Sequence, residues 1–176
     1  MMKDIFKPII VLTCICLVVT TLLAVVNMVT APIIKAAEEE AASKARAEVL
    51  TEAKSFELMK NVKLPDGVTE AYKGNDGTGF VFMLTQKGYG GDIKLICGMR
   101  PDGSIEAIKT LSHSETSGIG SKVVDNAGGY NKNYSRKTAA DYESVDFVSG
   151  ATISSKAYRA AVKSAFDAYD VVKGAK

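Results

Sequence analysis

The feature that most constrains this chain is a stretch without charge. No Asp, Glu, Lys or Arg occurs between Lys7 and Lys35, and residues 9–31 are apolar except for Asn27 and a few threonines. At about 1.5 Å per residue a helix over this run reaches ~35 Å, against a hydrocarbon core of ~30 Å, so it can span a bilayer. A cleaved signal peptide is the competing reading, but its apolar region is usually about 7–15 residues long, and Val29-Thr30-Ala31 before Pro32 is a poor cleavage signal. The stretch therefore reads as a retained anchor. Lys3 and Lys7 precede it, whereas Lys35 is soon followed by Glu38, Glu39 and Glu40. The positive-inside bias then keeps the N-terminus in the cytoplasm and puts the remainder outside, giving a single-pass protein of the cell inner (cytoplasmic) membrane with an extracytoplasmic C-terminal domain.

Cys14 and Cys16 fall inside the span and read as small apolar fillers, with lipid modification or cluster ligation as the speculative alternative. Cys97 is then the one cysteine of the folded part, so that part has no internal disulfide and depends on packing. One histidine and one such cysteine assemble no metal site. The formal charge of +2, with Lys and Arg scattered and no basic stripe, argues against a nucleic-acid partner.

Residues 33–59 are rich in Ala, Glu and Lys without Gly or Pro and predict a helix, solvated early and packed on the domain late. Pro65-Asp66-Gly67 and Gly74-Asn75-Asp76-Gly77 predict turns. Strands follow at 80–85, 93–99 and 105–111, joined by Gly88-Tyr89-Gly90-Gly91 and Pro101-Asp102-Gly103-Ser104, which gives an antiparallel meander. In the third strand Ile105, Ala107 and Lys109 alternate with Glu106, Ile108 and Thr110. The mixed faces suggest a sheet with helices on one side and a partner or ligand on the other. The fold class is α+β: residues 1–34 form the cytoplasmic N-terminus and transmembrane anchor, 35–60 a helical stalk and the start of the domain, and 61–176 the extracytoplasmic domain.

Two stretches carry the candidate site. In the first, Asp146-Phe147-Val148-Ser149-Gly150-Ala151-Thr152 reads as a strand-to-helix turn, with Ile153, Ala157, Ala160, Ala161, Ala165, Phe166, Tyr169 and Val172 at helical spacing behind it. Gly150 and Ala151 leave room for a ligand against the backbone, and Thr152, Ser154 or Ser155 supplies the N-cap. Free N–H groups at such a helix start suit a phosphate, although most hydroxyl-rich starts only cap. The second stretch, Ser112-His113-Ser114-Glu115-Thr116-Ser117-Gly118-Ile119-Gly120-Ser121-Lys122, lacks the Gly-Lys-Ser/Thr order and glycine spacing of a nucleoside triphosphate loop. Residues 125–141 read mostly as loop, with Tyr130 and Tyr134 either on the surface or covering an aromatic ligand.

The string Asp146-x-x-Ser149-Gly150-Ala151-Thr152 with Ser155 resembles the flavinylation motif of the FMN-binding domain family. The loop around His113 resembles the His-x-Glu-Thr-Pro-Gly-Leu-Gly segment of the G subunits of Rnf-type electron-transport complexes. Ser117 stands where that family usually has proline, and Ile119 where it usually has leucine. The resemblance covers nearly the whole chain and implies FMN bound covalently to Thr152 by a phosphoester, beside Ser149, Gly150 and Ala151. A separate flavin transferase installs the bond, since a threonine hydroxyl is a weak nucleophile, and Asp146 is either part of the string that enzyme recognises or a solvated carboxylate. It also implies that Glu115 and Thr116 lie against the flavin, with Gly118 and Gly120 letting the backbone approach the ring. His113 is either an exposed loop residue or a partner of the flavin.

The function so implied is electron relay among other membrane subunits of a complex coupling electron transfer between ferredoxin and NAD to ion translocation, without independent turnover and with no catalytic residue of its own. The alternatives are the C subunit of a sodium-translocating NADH:quinone reductase, a stand-alone membrane-anchored flavoprotein of an extracytosolic chain, and a non-redox binding domain.

Overall fold

The computed structural model describes residues 2–174; positions 1, 175 and 176, the outer ends of the first and last expected segments, lie outside the described residues. Contacts divide the chain into two units, one ending at Glu40 and one beginning at Ala41. Helix α1, Met2–Val49, belongs to both. In the first unit it is long and apolar enough to cross a membrane. Leu12, Leu17, Val18, Leu22 and Leu23 stand exposed around it, a surface that suits lipid rather than water. Its threonine hydroxyls are satisfied within the helix: Thr13, Thr20, Thr21 and Thr30 donate to the carbonyls of Ile9, Cys16, Leu17 and Val26 at 2.7–2.9 Å.

In the second unit α1 contributes buried Ala42, Ala45 and Val49 and stops at Val49, ten residues short of the expected boundary at 59. The chain beyond leaves the helix because tertiary partners take its backbone. Thr51 donates its N–H and its hydroxyl to Glu106 Oε1 (3.3 and 3.0 Å), and the carbonyl of Ser55 accepts the N–H of Asn75 (3.1 Å). Phe56–Leu58 then form strand β1. Strands β2 (Val68–Gly74), β3 (Phe80–Lys87), β4 (Asp92–Met99) and β5 (Ile105–Ser112) complete one antiparallel meander in the order β1-β2-β3-β4-β5. The three expected strands are β3 to β5, and β1 and β2 extend the sheet by two. The α+β class and antiparallel sheet stand.

A single helical turn, α2 (Ser121–Val124), follows the polar loop and buries Val123 and Val124. Helix α3, Thr152–Gly174, covers one face of the sheet, where Phe82, Leu84, Leu95, Ile105 and Ile108 pack with Ala161, Val162, Ala165 and Phe166. The other face is not open to a partner or ligand, as the mixed strand pattern suggests. Instead Val81 and Ile96 lie there under Ala45, Val49, Leu50 and Ala53 from the end of α1 and the turn after it. Ile105 and Ile108 both join the cluster under α3 because the β4–β5 register shifts between Gly98 and Met99, which breaks simple alternation. Residues 125–141 are a chain of short 3-10 turns (Asn126–Gly128, Tyr130–Tyr134), not open loop. Tyr130 and Tyr134 are core residues, their rings 5.6 Å from that of Tyr158, so neither is on the surface nor over a ligand. Burial pushes the phenols of Tyr134 and Tyr158 up, as it does the Cys97 thiol.

Candidate functional site

The start of α3 is tied down from behind. Residues 145–151 form no strand, contrary to the strand-to-helix reading. They are held by side chains: Tyr130 Oη donates to the carbonyl of Asp146 (3.1 Å), Arg159 Nη2 donates to that of Val145, and the Arg159 guanidinium lies 3.9 Å from the centre of the Phe147 ring. The Ser155 hydroxyl accepts the N–H of Val148 (3.1 Å), which leads into a turn closed by Ala151 N–H on the carbonyl of Val148 (3.0 Å). Ser155 is thus spent on the loop and Ser154 on Glu115, so neither caps the helix, and the Thr152 hydroxyl bonds to nothing among the described residues. The expected N-cap is absent. The first helical bond is Ser155 N–H to Ala151. The N–H groups of Thr152, Ile153 and Ser154 therefore have no partner among the described residues, at the positive end of a 23-residue helix.

Beside this helix start opens a cleft of about 420 Å³, within the usual range for small-molecule sites. Its lining brings Glu115, Thr116 and Gly120 from the polar loop together with Gly150, Ala151 and Thr152, two segments far apart in sequence. Ser149 and Gly118 are outside the lining. Tyr89, Ile119, Ile153 and Ser154 belong to it, and sequence reasoning does not assign them there. Helical spacing puts Ile153 in the core, yet it is 54% exposed; Ile119 is 52% exposed and Tyr89 71%. Large apolar side chains on a glycine-rich hairpin and a polar loop are the available signal, since nothing in the core claims them.

At the floor of the cleft Glu115 is only 8% exposed. Its Oε1 accepts the N–H of Gly90 (2.9 Å), and its Oε2 accepts the hydroxyl of Ser154. A Cβ at Gly120 would collide with this carboxylate and the Ser154 hydroxyl, so Gly120 makes room for the pair. Gly150 differs: a Cβ there would meet nothing within 4 Å, and its φ of 81° is what requires glycine. The Thr116 carbonyl accepts the N–H groups of Ile119 and Ser121 (both 3.2 Å), and the Ser121 hydroxyl accepts that of Gly118 (2.9 Å), so the turn containing Ser117 closes without proline.

These groups fit FMN. Exposed apolar side chains suit a planar ring system, three N–H groups without a partner among the described residues suit a phosphate, and Gly150 lies next to the Thr152 hydroxyl, which likewise has none there.

Residues 88–167 match the FMN-binding domain family, and residues 1–49 match the family described as the RnfG N-terminal region. The chain is 31% identical to the G subunit of the ion-translocating oxidoreductase complex of Methanosarcina acetivorans, over 98% of each chain. It is 27% identical to the G subunit of the proton-translocating ferredoxin:NAD(+) oxidoreductase complex of Clostridium ljungdahlii, over 94% of this chain and 91% of that one. It is also 28% identical to the G subunit of the Na(+)-translocating ferredoxin:NAD(+) oxidoreductase complex of Acetobacterium woodii, over 95% and 92%.

Proposed function

Because the chain belongs to the family of G subunits of ion-translocating oxidoreductase complexes, we propose that it is the FMN-carrying electron-relay subunit of such a complex, coupling electron transfer between ferredoxin and NAD to ion translocation. Bound FMN supplies the redox chemistry, taking up and passing on electrons. The chain supplies position. Thr152 holds the cofactor by a phosphoester, and the N–H groups of Thr152, Ile153 and Ser154 face its phosphate with a dipole contribution of ~0.3–1 kcal/mol. Gly150 and Ala151 leave the space beside it, Tyr89, Ile119 and Ile153 present apolar surface to the ring, and Glu115 and Thr116 bound the floor. Ser149 and Gly118 shape the two turns from outside the lining.

Residues 1–34 serve as cytoplasmic N-terminus and anchor, 35–60 as the helical stalk and the start of the domain, and 61–176 as the extracytoplasmic FMN-binding domain. The positive charges of Lys3 and Lys7 ahead of the span support a cytoplasmic N-terminus and a domain outside, on the inner (cytoplasmic) membrane. The partners are other membrane subunits of the complex and, during maturation, a flavin transferase. The match of residues 1–49 favours this subunit over the C subunit of a sodium-translocating NADH:quinone reductase.

The observation that carries the reading is the free, exposed Thr152 hydroxyl on the cleft next to three N–H groups without partners among the described residues. Coexpression with a flavin transferase, followed by denaturing electrophoresis under ultraviolet light, should give a fluorescent band. Thr152→Ala should abolish the band and leave stability within about 0.5 kcal/mol, as for a surface substitution. A band of equal intensity from the variant would refute the attachment.

A further inference from the structure

The contacts of His113 are neither those of an exposed loop residue nor those of a group facing the cleft. Its Nδ1 lies 3.2 Å from the backbone N of Glu115, and its Nε2 lies 2.9 Å from Asp125 Oδ1. A backbone N–H can only donate, so Nδ1 must present a lone pair, and the ring proton of the neutral imidazole therefore sits on Nε2 and points at the carboxylate. Asp125 thereby fixes the tautomer that lets His113 accept from Glu115. Asp125 is itself anchored by its own N–H on the carbonyl of Ser121 (2.8 Å). From Glu115 the connection continues through Oε1 to the N–H of Gly90 and through Oε2 to the Ser154 hydroxyl on the first turn of α3.

We propose that His113 is a positioning residue: held by Asp125 in its Nε2–H form, it sets the backbone of Glu115 and so the carboxylate that ties the polar loop to the Thr152-bearing helix start. His113 is not itself among the residues that line the cleft; its hydrogen bond to Glu115 is what ties it to them, and it acts by orientation. Only the last step, an effect on a bound flavin, rests on the reading of the cleft proposed above.

His113 is the chain's single histidine, so its ring can be observed without assignment ambiguity. In the full-length, flavin-free protein in detergent, nitrogen NMR at neutral pH should show a protonated Nε2 and an unprotonated Nδ1. The amides of Glu115 and Gly90 should exchange up to about tenfold faster in His113→Ala, the fold-change of an ordinary hydrogen bond. His113→Asn, whose Oδ1 can take the place of Nδ1, should restore the protection. A ring protonated on Nδ1 instead, or equal protection in His113→Ala, overturns the proposal. In flavin-loaded protein the absorption spectrum should shift in His113→Ala and return in His113→Asn. Lost amide protection with an unmoved flavin spectrum would leave the anchoring of Glu115 standing and overturn the placement of flavin at this cleft.

Discussion

Glu115 and Thr152 line one cleft, yet the first is 8% exposed with both carboxylate oxygens hydrogen-bonded, and the second is exposed with a hydroxyl that bonds to nothing among the described residues. The glycines follow the same division. A Cβ at Gly90 would strike the Ser114 carbonyl and one at Gly120 the Glu115 carboxylate, whereas Gly118 and Gly150 face open space and are needed for their φ of 77° and 81°. One half of the cleft is built, and the other is left available. The attachment proposed for Thr152 needs both: a hydrogen-bonded wall that sets the geometry and an unencumbered hydroxyl at the rim.

Substitutions in the two halves should separate, and the largest effect is expected at Gly90. Gly90→Ala forces backbone apart at Ser114 and disturbs the bond to Glu115, costing about 1–3 kcal/mol or more, with flavin attachment falling alongside. Chemical denaturation of the two variants should show Gly118→Ala milder, at about 1–2 kcal/mol from left-handed strain alone. Equal losses would dissolve the distinction between crowded and conformational glycines. Next comes Ser154→Ala, which leaves a buried carboxylate oxygen without its donor and should cost about 1–3 kcal/mol while Thr152 still accepts flavin. If attachment disappears in a folded Ser154→Ala protein, the wall and the rim are not separable.

The smallest effect lies outside both halves. In the β4–β5 turn the Asp102 carboxyl is held below its ordinary value by the hydroxyl and N–H of Ser104, which donate at 2.7 and 2.8 Å. A carboxyl lowered in the folded state adds stability above its unfolded pKa of about 3.9 and loses it as pH falls through the lower folded value. Ser104→Ala should therefore slightly reduce stability at neutral pH and narrow its difference from the parent on acidification. A difference that widens toward low pH would reverse the assignment.

Much of the site is legible in the sequence because it is local. The helix start at Thr152, the polar loop around Glu115 and the glycine hairpin each announce themselves by residue type, and the helical spacing of Ala157, Ala161, Ala165, Phe166, Tyr169 and Val172 is borne out by their burial, whereas Ala160 of the same set is exposed. What is not legible depends on long-range pairing. Ala, Glu and Lys continue past Val49 without a breaker, so only Glu106 and Asn75, distant in sequence, explain why the helix gives way before β1. Strand β2, with Glu70 and Lys73 among its residues, resembles a polar connection until it is paired with β3. By residue type Ser154 is one of three interchangeable capping hydroxyls, and only the fold brings it to Glu115, 39 positions away. Ile153 shows the converse: its spacing is that of a core residue, but the first turn of a helix has no earlier turn beneath it to define the face.

Attachment of FMN at Thr152 can be tested directly. Full-length protein coexpressed with a flavin transferase should be digested and its peptides mapped by tandem mass spectrometry. One FMN-phosphate adduct is expected, on Thr152, carried by the peptide that also contains Ser154 and Ser155. An adduct on Ser149, Ser154 or Ser155 instead, or a fully loaded protein whose flavin leaves on denaturation, would contradict it.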